Sequence, residues 1–297
     1  MSREFVTVVP GCTYLEAPRW HRDRLWFSDL YTHRVLSARE DGSDVRVEAE
    51  LAGPPVGLGW LPDGRLLVVS AEDSRLLIRR ADGTLEVLAD LSAHTRGWLN
   101  ELVVDSQGRS YLGHFGFDLF GGELIEPASL LRVDPDGTIT TVATDLLFPN
   151  GSVITPDGVL LVGESFANRV TAFDVAEDGS LRNRRVWASF GEPVAERDLM
   201  RAIGEFAVAP DGCCLDVENA LWVADFTHGR VLRVGAGGEI LDEISPGTGV
   251  FACTLGGADG RTLFLCTAPD FDRTARTAER AGQVLSVRVE VPGIGWV

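Results

Sequence analysis

Lysine is absent from this sequence of 297 residues, so all 27 residues of fixed positive charge are arginine. That excludes Schiff-base chemistry on a lysine amine and a phosphate loop that needs its Lys. Cysteine is scarce: Cys12, Cys213, Cys214, Cys253 and Cys266, an odd number with two adjacent. Their spacings fit no zinc module and include no C-x-x-C. Most sit in apolar runs, which predicts buried free thiols and a reducing compartment. Long apolar runs are missing too, so no segment reaches the length of a bilayer span. The N-terminal MSREFVTVVPG lacks the basic start and apolar stretch of a secretory signal. A cytoplasmic location is expected. Positive charge is outweighed: the formal net charge of -17 argues against nucleic acid as a partner and against anionic membrane surfaces. No HExxH and no nucleophile-elbow serine occur. The glycine-rich Gly247–Ala252 lacks the strand-to-helix setting of a dinucleotide fingerprint.

What is present is a repeat. A short apolar strand recurs as RLWFSD from Arg24, RLLVVS from Arg65, RSYLGH from Arg109, VLLVGE from Val159, ALWVAD from Ala220 and TLFLCT from Thr262. Turns such as LPDG, TPDG and GADG precede most copies, and such turns supply the positive φ of tight hairpins. The copies lie roughly 40 to 60 residues apart, and the low end is the length of one four-stranded propeller blade. Each is followed by a strand–turn–strand pattern, for example SLLRVDPDGTITTVATDL. The expected fold is therefore all-β: a six-bladed β-propeller of four-stranded antiparallel blades, one domain over residues 1–297. FVTVVP should lend a strand to the last blade and close the ring. Helix is nearly absent, with AERDLMRAI the one short candidate. Three longer connections, residues 117–129, 191–205 and 268–281, are candidates for binding walls.

The first strand of a blade lines the central channel. Stepping back about nine residues from each repeated second strand reaches Glu16, Val56, Asn100, Asn150, Asp211 and Cys253 or its neighbour Ala252. Four of these six carry an oxygen acceptor where the repeat otherwise asks for apolar packing. Two carboxylates and two amides should not converge without a counterion, and no Lys or His stands among them. This predicts a metal site at one end of the channel, with a water-filled polar channel as the alternative. The all-oxygen set favours Ca²⁺, Mg²⁺ or Mn²⁺, while Zn²⁺ with oxygen ligands and water stays compatible. The acids that close the second strands are a different case. Asp29, Glu72, Glu164 and Asp225, each followed by Arg34, Arg75, Arg169 or Arg230, recur across the blades and should be structural, making polar contacts from blade to blade.

The segments LEAPRW around Glu16, FPNGSVITPDG around Asn150 and PDGCCLDVENALWVAD around Asp211 resemble the regucalcin/gluconolactonase family, also called senescence marker protein-like. The likeness runs in order along nearly the whole chain. It implies a six-bladed propeller, metal ligation by Glu16, Asn150 and Asp211, and contact of Asn100 with substrate or a metal-bound water. The family pattern has Arg two residues before that Asn and Asp-Gly after it. Here Trp98 stands at the first position, Arg96 is displaced, and Glu101 takes the acid's place. Trp98, Phe115 and Phe117 would make a more apolar mouth than a sugar lactone needs. His114, at the end of a repeated strand, is a candidate proton shuttle, against a structural alternative.

The chemistry expected from these readings is metal-dependent hydrolysis of a cyclic ester. The cation, Ca²⁺ above the others, would polarise the lactone carbonyl, and Asp211 would act as general base on the attacking water. Asn100 and Glu101 would orient substrate or water. Arg96, Trp98, Asn100, His114 and Phe115 would form the substrate wall. The partner is a small molecule. The alternatives are another metal-dependent enzyme acting on a less polar substrate, or a non-enzymatic binding propeller. The oligomeric state is not legible.

Overall fold

In the computed structural model, which describes residues 3–295, the repeated segments become the second strands of six four-stranded antiparallel sheets. Sheet 1 runs Leu15–His21, Arg24–Asp29, Arg34–Ala38, Arg46–Glu50. Sheet 2 runs Pro55–Trp60, Leu66–Ser70, Arg75–Arg79, Leu85–Asp90, and sheet 3 Leu99–Val104, Ser110–His114, Ala128–Val133, Ile139–Leu146. Sheet 4 is Pro149–Ile154, Val159–Glu164, Arg169–Val175, Leu181–Ser189, and sheet 5 Pro210–Leu215, Leu221–Asp225, Arg230–Val234, Ile240–Ile244. Sheet 6 takes Gly249–Gly256, Thr262–Ala268 and Gly282–Arg288, and Val6–Cys12 from the N-terminus pairs with its last strand as expected.

Contacts divide the described chain into two compact units. Val56–Pro210 carries sheets 2, 3 and 4; the chain up to Pro55 and from Asp211 onward carries sheets 1, 5 and 6. Within each unit the first strands pack beside one another: Leu99–Val104 against Pro149–Ile154 in one, Gly249–Gly256 against Leu15–His21 in the other. Close approach there demands glycine. A Cβ on Gly212 would lie 2.7 Å from the Ala252 Cα, so the first strands of sheets 5 and 6 could not meet. Burial falls from inside to outside. Leu66–Ser70 and Leu221–Asp225 are buried throughout, whereas the fourth strands Arg46–Glu50 and Leu85–Asp90 alternate with solvent. The apolar cores lie between adjacent sheets of a unit. Leu67, Val69, Leu102, Leu112 and Leu131 fill one such space, and Trp222, Val231, Cys253, Leu263 and Leu265 another. All five cysteines are free and buried.

Among the described residues two short α-helices interrupt the β pattern. Leu199–Ala202 lies in the segment expected to be helical, with the Asp198 carboxylate accepting from the Met200 and Arg201 amides. The second, Arg273–Glu279, was not foreseen; its signal is Asp272, which accepts from the Ala275 N–H at 2.7 Å as an N-cap.

The acids at the ends of the second strands are structural, but they act within a sheet rather than from blade to blade. Glu164 is fully buried and accepts from Arg169 at 2.8 and 2.9 Å, from Thr171 and from the Leu147 N–H at 2.8 Å. Leu147 lies two residues before the first strand of the same sheet, so this carboxylate latches the incoming chain. Asp29 does the same in sheet 1, accepting from the Thr13 N–H at 3.1 Å, while Arg34 pairs with Glu50 instead. Glu72 falls outside the pattern. The second strand of sheet 2 ends at Ser70, which stands opposite Arg75, and Arg75 reaches Asp73 and Asp90.

Removing a buried partner strands its charged neighbour, whereas an exposed pair contributes little. Glu164→Gln should therefore lower the unfolding free energy by about 3 kcal/mol. Arg182→Gln, whose ion pair with Asp178 is 3.9 Å long and solvent-exposed, should leave it near the parent value. Urea denaturation of the two variants checks the contrast.

Candidate functional site

The residues singled out by register share one local geometry. Glu16, Val56, Asn100, Asn150 and Asp211 are each the second residue of the first strand of their sheet. In sheets 1, 3, 4 and 6 the ladder shifts register just beyond this point: between Glu16 and Arg19, Leu99 and Leu102, Pro149 and Ser152, and Val250 and Ala252. Such bulges re-aim the side chain beside them. In sheet 1 the bulge places the fully buried Ala17 at φ 49°, a left-handed conformation costly to a residue with a Cβ. The same register corrects the sequence assignment in sheet 6. Val250 pairs with Thr267 as Leu15 pairs with Asp29, so the equivalent residue is Phe251, not Cys253 or Ala252. The first two strands of sheet 6 are eight and seven residues long, longer than their counterparts, which offset the count.

In the unit of sheets 1, 5 and 6, Glu16 and Asp211 are buried to within 6% and 5% exposure. The Tyr14 hydroxyl donates to Glu16 Oε1 at 3.0 Å. Burial drives the Tyr14 phenol well above its ordinary pKa, and the negative charges of Glu16 and then Asp211 push it the same way. Both carboxylates thus act on one buried hydroxyl. Tyr14 is itself fixed by ring contacts, 4.8 Å edge-on to Phe251 and 5.7 Å stacked on Tyr31.

In the unit of sheets 2, 3 and 4, Asn100, Glu101 and Asn150 are likewise buried. The Asn100 amide donates to the Pro149 carbonyl at 3.2 Å, which brings Asn100 against the strand that carries Asn150. The Asn150 amide donates to Ser165 Oγ at 3.2 Å, and Ser165 in turn donates to the Pro210 carbonyl at 2.6 Å. Asn150 Oδ1 is left buried with no hydrogen-bond partner among the described residues.

Aromatic rings gather on the same ends of these sheets. Trp98 lies 4.5 Å from Phe120 and 6.3 Å from Phe115; Phe115 stacks on Phe148 at 4.4 Å; Phe148 meets Phe166 at 4.5 Å, and Phe166 stacks on Phe206 at 5.4 Å. Phe117 is fully buried against Phe148 and Phe166. It therefore supports the mouth from beneath rather than lining it. Two of the long connections meet here: Ile125 and Arg197 exchange backbone and guanidinium hydrogen bonds at 2.8 and 2.9 Å. They border a cleft of about 410 Å³ floored by Leu147 and Phe166.

Two expected wall residues are committed elsewhere. His114 ends the second strand of sheet 3, opposite Leu99, the place that Asp29 and Glu164 hold in their sheets. Its Nε2 meets Ser129 Oγ at 2.9 Å and its Nδ1 lies 3.1 Å from the Gly116 N–H and 3.2 Å from the Arg96 carbonyl. Both ring nitrogens are occupied, and burial lowers the ring's pKa, so the geometry supports the structural alternative over a proton shuttle. The Arg96 guanidinium is exposed and turned onto both Glu123 oxygens, at 3.0 and 3.1 Å.

The donors present suit a hard cation. Asn150 Oδ1 is a buried amide oxygen and Glu16 and Asp211 are buried carboxylates, and oxygen is the ligand type that Ca²⁺ takes. Among the described residues no group of three or more His, Cys, Asp or Glu could hold a metal. The sequence reading missed Tyr14, Phe148, Phe120 and Phe166. For the first two the signal was visible: an aromatic residue stands two positions before Glu16, Asn100 and Asn150, as Tyr14, Trp98 and Phe148.

Among the described residues no helix is long and apolar enough to cross a membrane. The chain is 31% identical over 210 residues to a 6-deoxy-6-sulfogluconolactonase of Pseudomonas putida, a match spanning 67% of this chain and 64%, a little under two thirds, of that protein. It is 28% identical over 296 residues to the pentonolactonase XacC of Haloferax volcanii, covering 95% and 93% of the two chains. The crystal structure of a calcium-binding protein, regucalcin, from Agrobacterium tumefaciens superimposes with a TM-score of 0.77 at 20% identity over 98% of this chain and 96% of that one. With six four-stranded sheets, this likeness shows the six-bladed β-propeller fold. The model of the SMP-30/gluconolactonase/LRE-like region matches residues 15–269, and the chain belongs to that family.

Proposed function

We propose that this protein is a metal-dependent lactonase. The observation that carries the reading is the recurrence of a buried oxygen donor at one register position, Glu16, Asn100, Asn150 and Asp211, in a chain whose family includes proteins named as lactonases. Glu16, Asn150 and Asp211 would hold one divalent cation, Ca²⁺ by the hardness of the donors, with Mg²⁺, Mn²⁺ and Zn²⁺ as competitors. When bound, the ion supplies positive charge for the lactone carbonyl oxygen as that oxygen becomes negative. Residues 1–297 act as a single domain in this reading, and the partner is a small molecule.

The chain's own residues do the rest. Asp211 accepts a proton from the attacking water, whose oxygen bonds to the carbonyl carbon. The ring C–O bond then breaks, and the ring oxygen leaves as a hydroxyl, taking that proton back from Asp211. The product is the open hydroxy acid. Asn100 and Glu101 orient substrate and water. Tyr14 holds the Glu16 carboxylate through its 3.0 Å hydrogen bond. Support of a metal ligand from the next shell of residues matters in this way for affinity.

Elemental analysis of the purified protein, with a panel of sugar, aliphatic and aryl lactones assayed after chelation and re-addition of Ca²⁺, Mg²⁺, Mn²⁺ or Zn²⁺, tests the reading. Activity should vanish with chelation and return with one or more of the ions; an active chelated protein, or no lactone opened by any loaded form, overturns it. Asp211→Asn should lower kcat at least about 100-fold. Tyr14→Phe should weaken metal affinity about tenfold with a smaller change in kcat at saturating metal, as read by calorimetric titration of the metal and by kinetics.

A further inference from the structure

Trp98 stands two residues before Asn100 in an extended stretch whose backbone pairing continues outward: the Phe115 N–H donates to the Trp98 carbonyl at 2.9 Å. Residues two apart in such a stretch present their side chains on one side. Trp98 is half-buried, and its ring lies 4.5 Å from that of Phe120, which is 50% exposed. The remaining rings of the series are buried: Phe115, Phe148, Phe117, Phe166 and Phe206. The series is therefore a packed support that ends, at Trp98 and Phe120, in two rings open to solvent. The polar groups around this end are turned elsewhere. Arg96 holds Glu123, His114 is bonded through both nitrogens, and the Asn100 amide is given to Pro149. A polyhydroxylated sugar ring laid here would give up water for ring faces that return no hydrogen bond. A flat apolar ring would stack on them instead.

We propose that Trp98 and Phe120 form a stacking subsite for the aromatic ring of an aryl-fused lactone. Under the lactonase reading, on which this rests, the carbonyl end of that substrate lies toward Asn100 and the fused ring toward Trp98. The loop that carries Phe120 is held at its base by the bonds between Ile125 and Arg197, so the two rings are presented together before substrate arrives. The two aromatics set specificity; they take no part in the proton transfers.

The test uses the full chain loaded with Ca²⁺ and compares dihydrocoumarin with glucono-1,5-lactone. 2-Tetralone serves as a non-hydrolysable probe whose binding is measured by calorimetry. The parent protein should bind 2-tetralone and favour dihydrocoumarin in kcat/KM. Trp98→Ala and Phe120→Ala should each lower the aryl-to-sugar ratio of kcat/KM about tenfold, mainly through KM, and weaken 2-tetralone binding by a similar factor. Trp98→Phe should restore most of both. Phe120→Ala, at an exposed loop position, keeps the test open should Trp98→Ala fold poorly. Equal losses on both lactones, or 2-tetralone binding indifferent to both substitutions, overturns the subsite. Binding of 2-tetralone that depends on Trp98, with neither lactone opened, upholds the subsite and removes the lactonase reading.

Discussion

A side chain at the end of the second strand ties down the chain as it enters its own sheet, and the candidate site depends on this latch. Glu164 takes the Leu147 N–H, Asp29 takes the Thr13 N–H, and His114 meets the Arg96 carbonyl. Each bond lies two or three residues before a first strand. The latch fixes where that strand begins, and the bulge that follows aims the second residue. Because these groups are buried, leaving any one unpaired would carry the full desolvation penalty. The same need for compensation makes the carboxylates at the strand ends structural and those one strand inward candidates for a ligand.

The two kinds of acid are distinguished by their partners. Glu164, Asp225 and Asp216 are each met by an arginine within 3 Å. Glu16 is met by a phenol, with Asp211 also acting on that phenol, and Asn150 keeps a buried oxygen unbonded. Arginine as the sole source of fixed positive charge suits this division, since its guanidinium fork satisfies a carboxylate at two points.

The aromatic residues before Glu16, Asn100 and Asn150 give the equivalent positions unlike surroundings. Tyr14 carries a hydroxyl into the carboxylate pair. Trp98 and Phe148 join a series of rings that runs from buried packing to an exposed end. One repeat thus supplies polar support in one unit and an apolar wall in the other, by the choice of ring at a single offset.

Much of this is legible in the sequence because a propeller repeats. Asp-Gly turns and apolar runs mark the second strands, and counting back from them reaches Glu16, Asn100, Asn150 and Asp211 without any structure. Counting failed where strand length varied: in sheet 6 it reached Cys253 where the ladder places Phe251. It failed again at Glu72, where the strand ends early at Ser70. The short helix capped by Asp272 escaped because seven residues, about two turns, carry little periodic signal. Sequence also placed Trp98 beside Asn100, since residues two apart share a side of an extended chain. It did not reveal that His114 spends both ring nitrogens on Ser129 and the nearby backbone, that Arg96 turns to Glu123, or that Phe120 comes back onto Trp98. Those contacts join residues 15 to 27 positions apart through long connections without period or register. Periodicity determined which residues stand at equivalent places along the chain. Only the folding of the loops decided which of them keep a free polar atom or an open face, because hydrogen bonds and ring contacts are settled by distance in space.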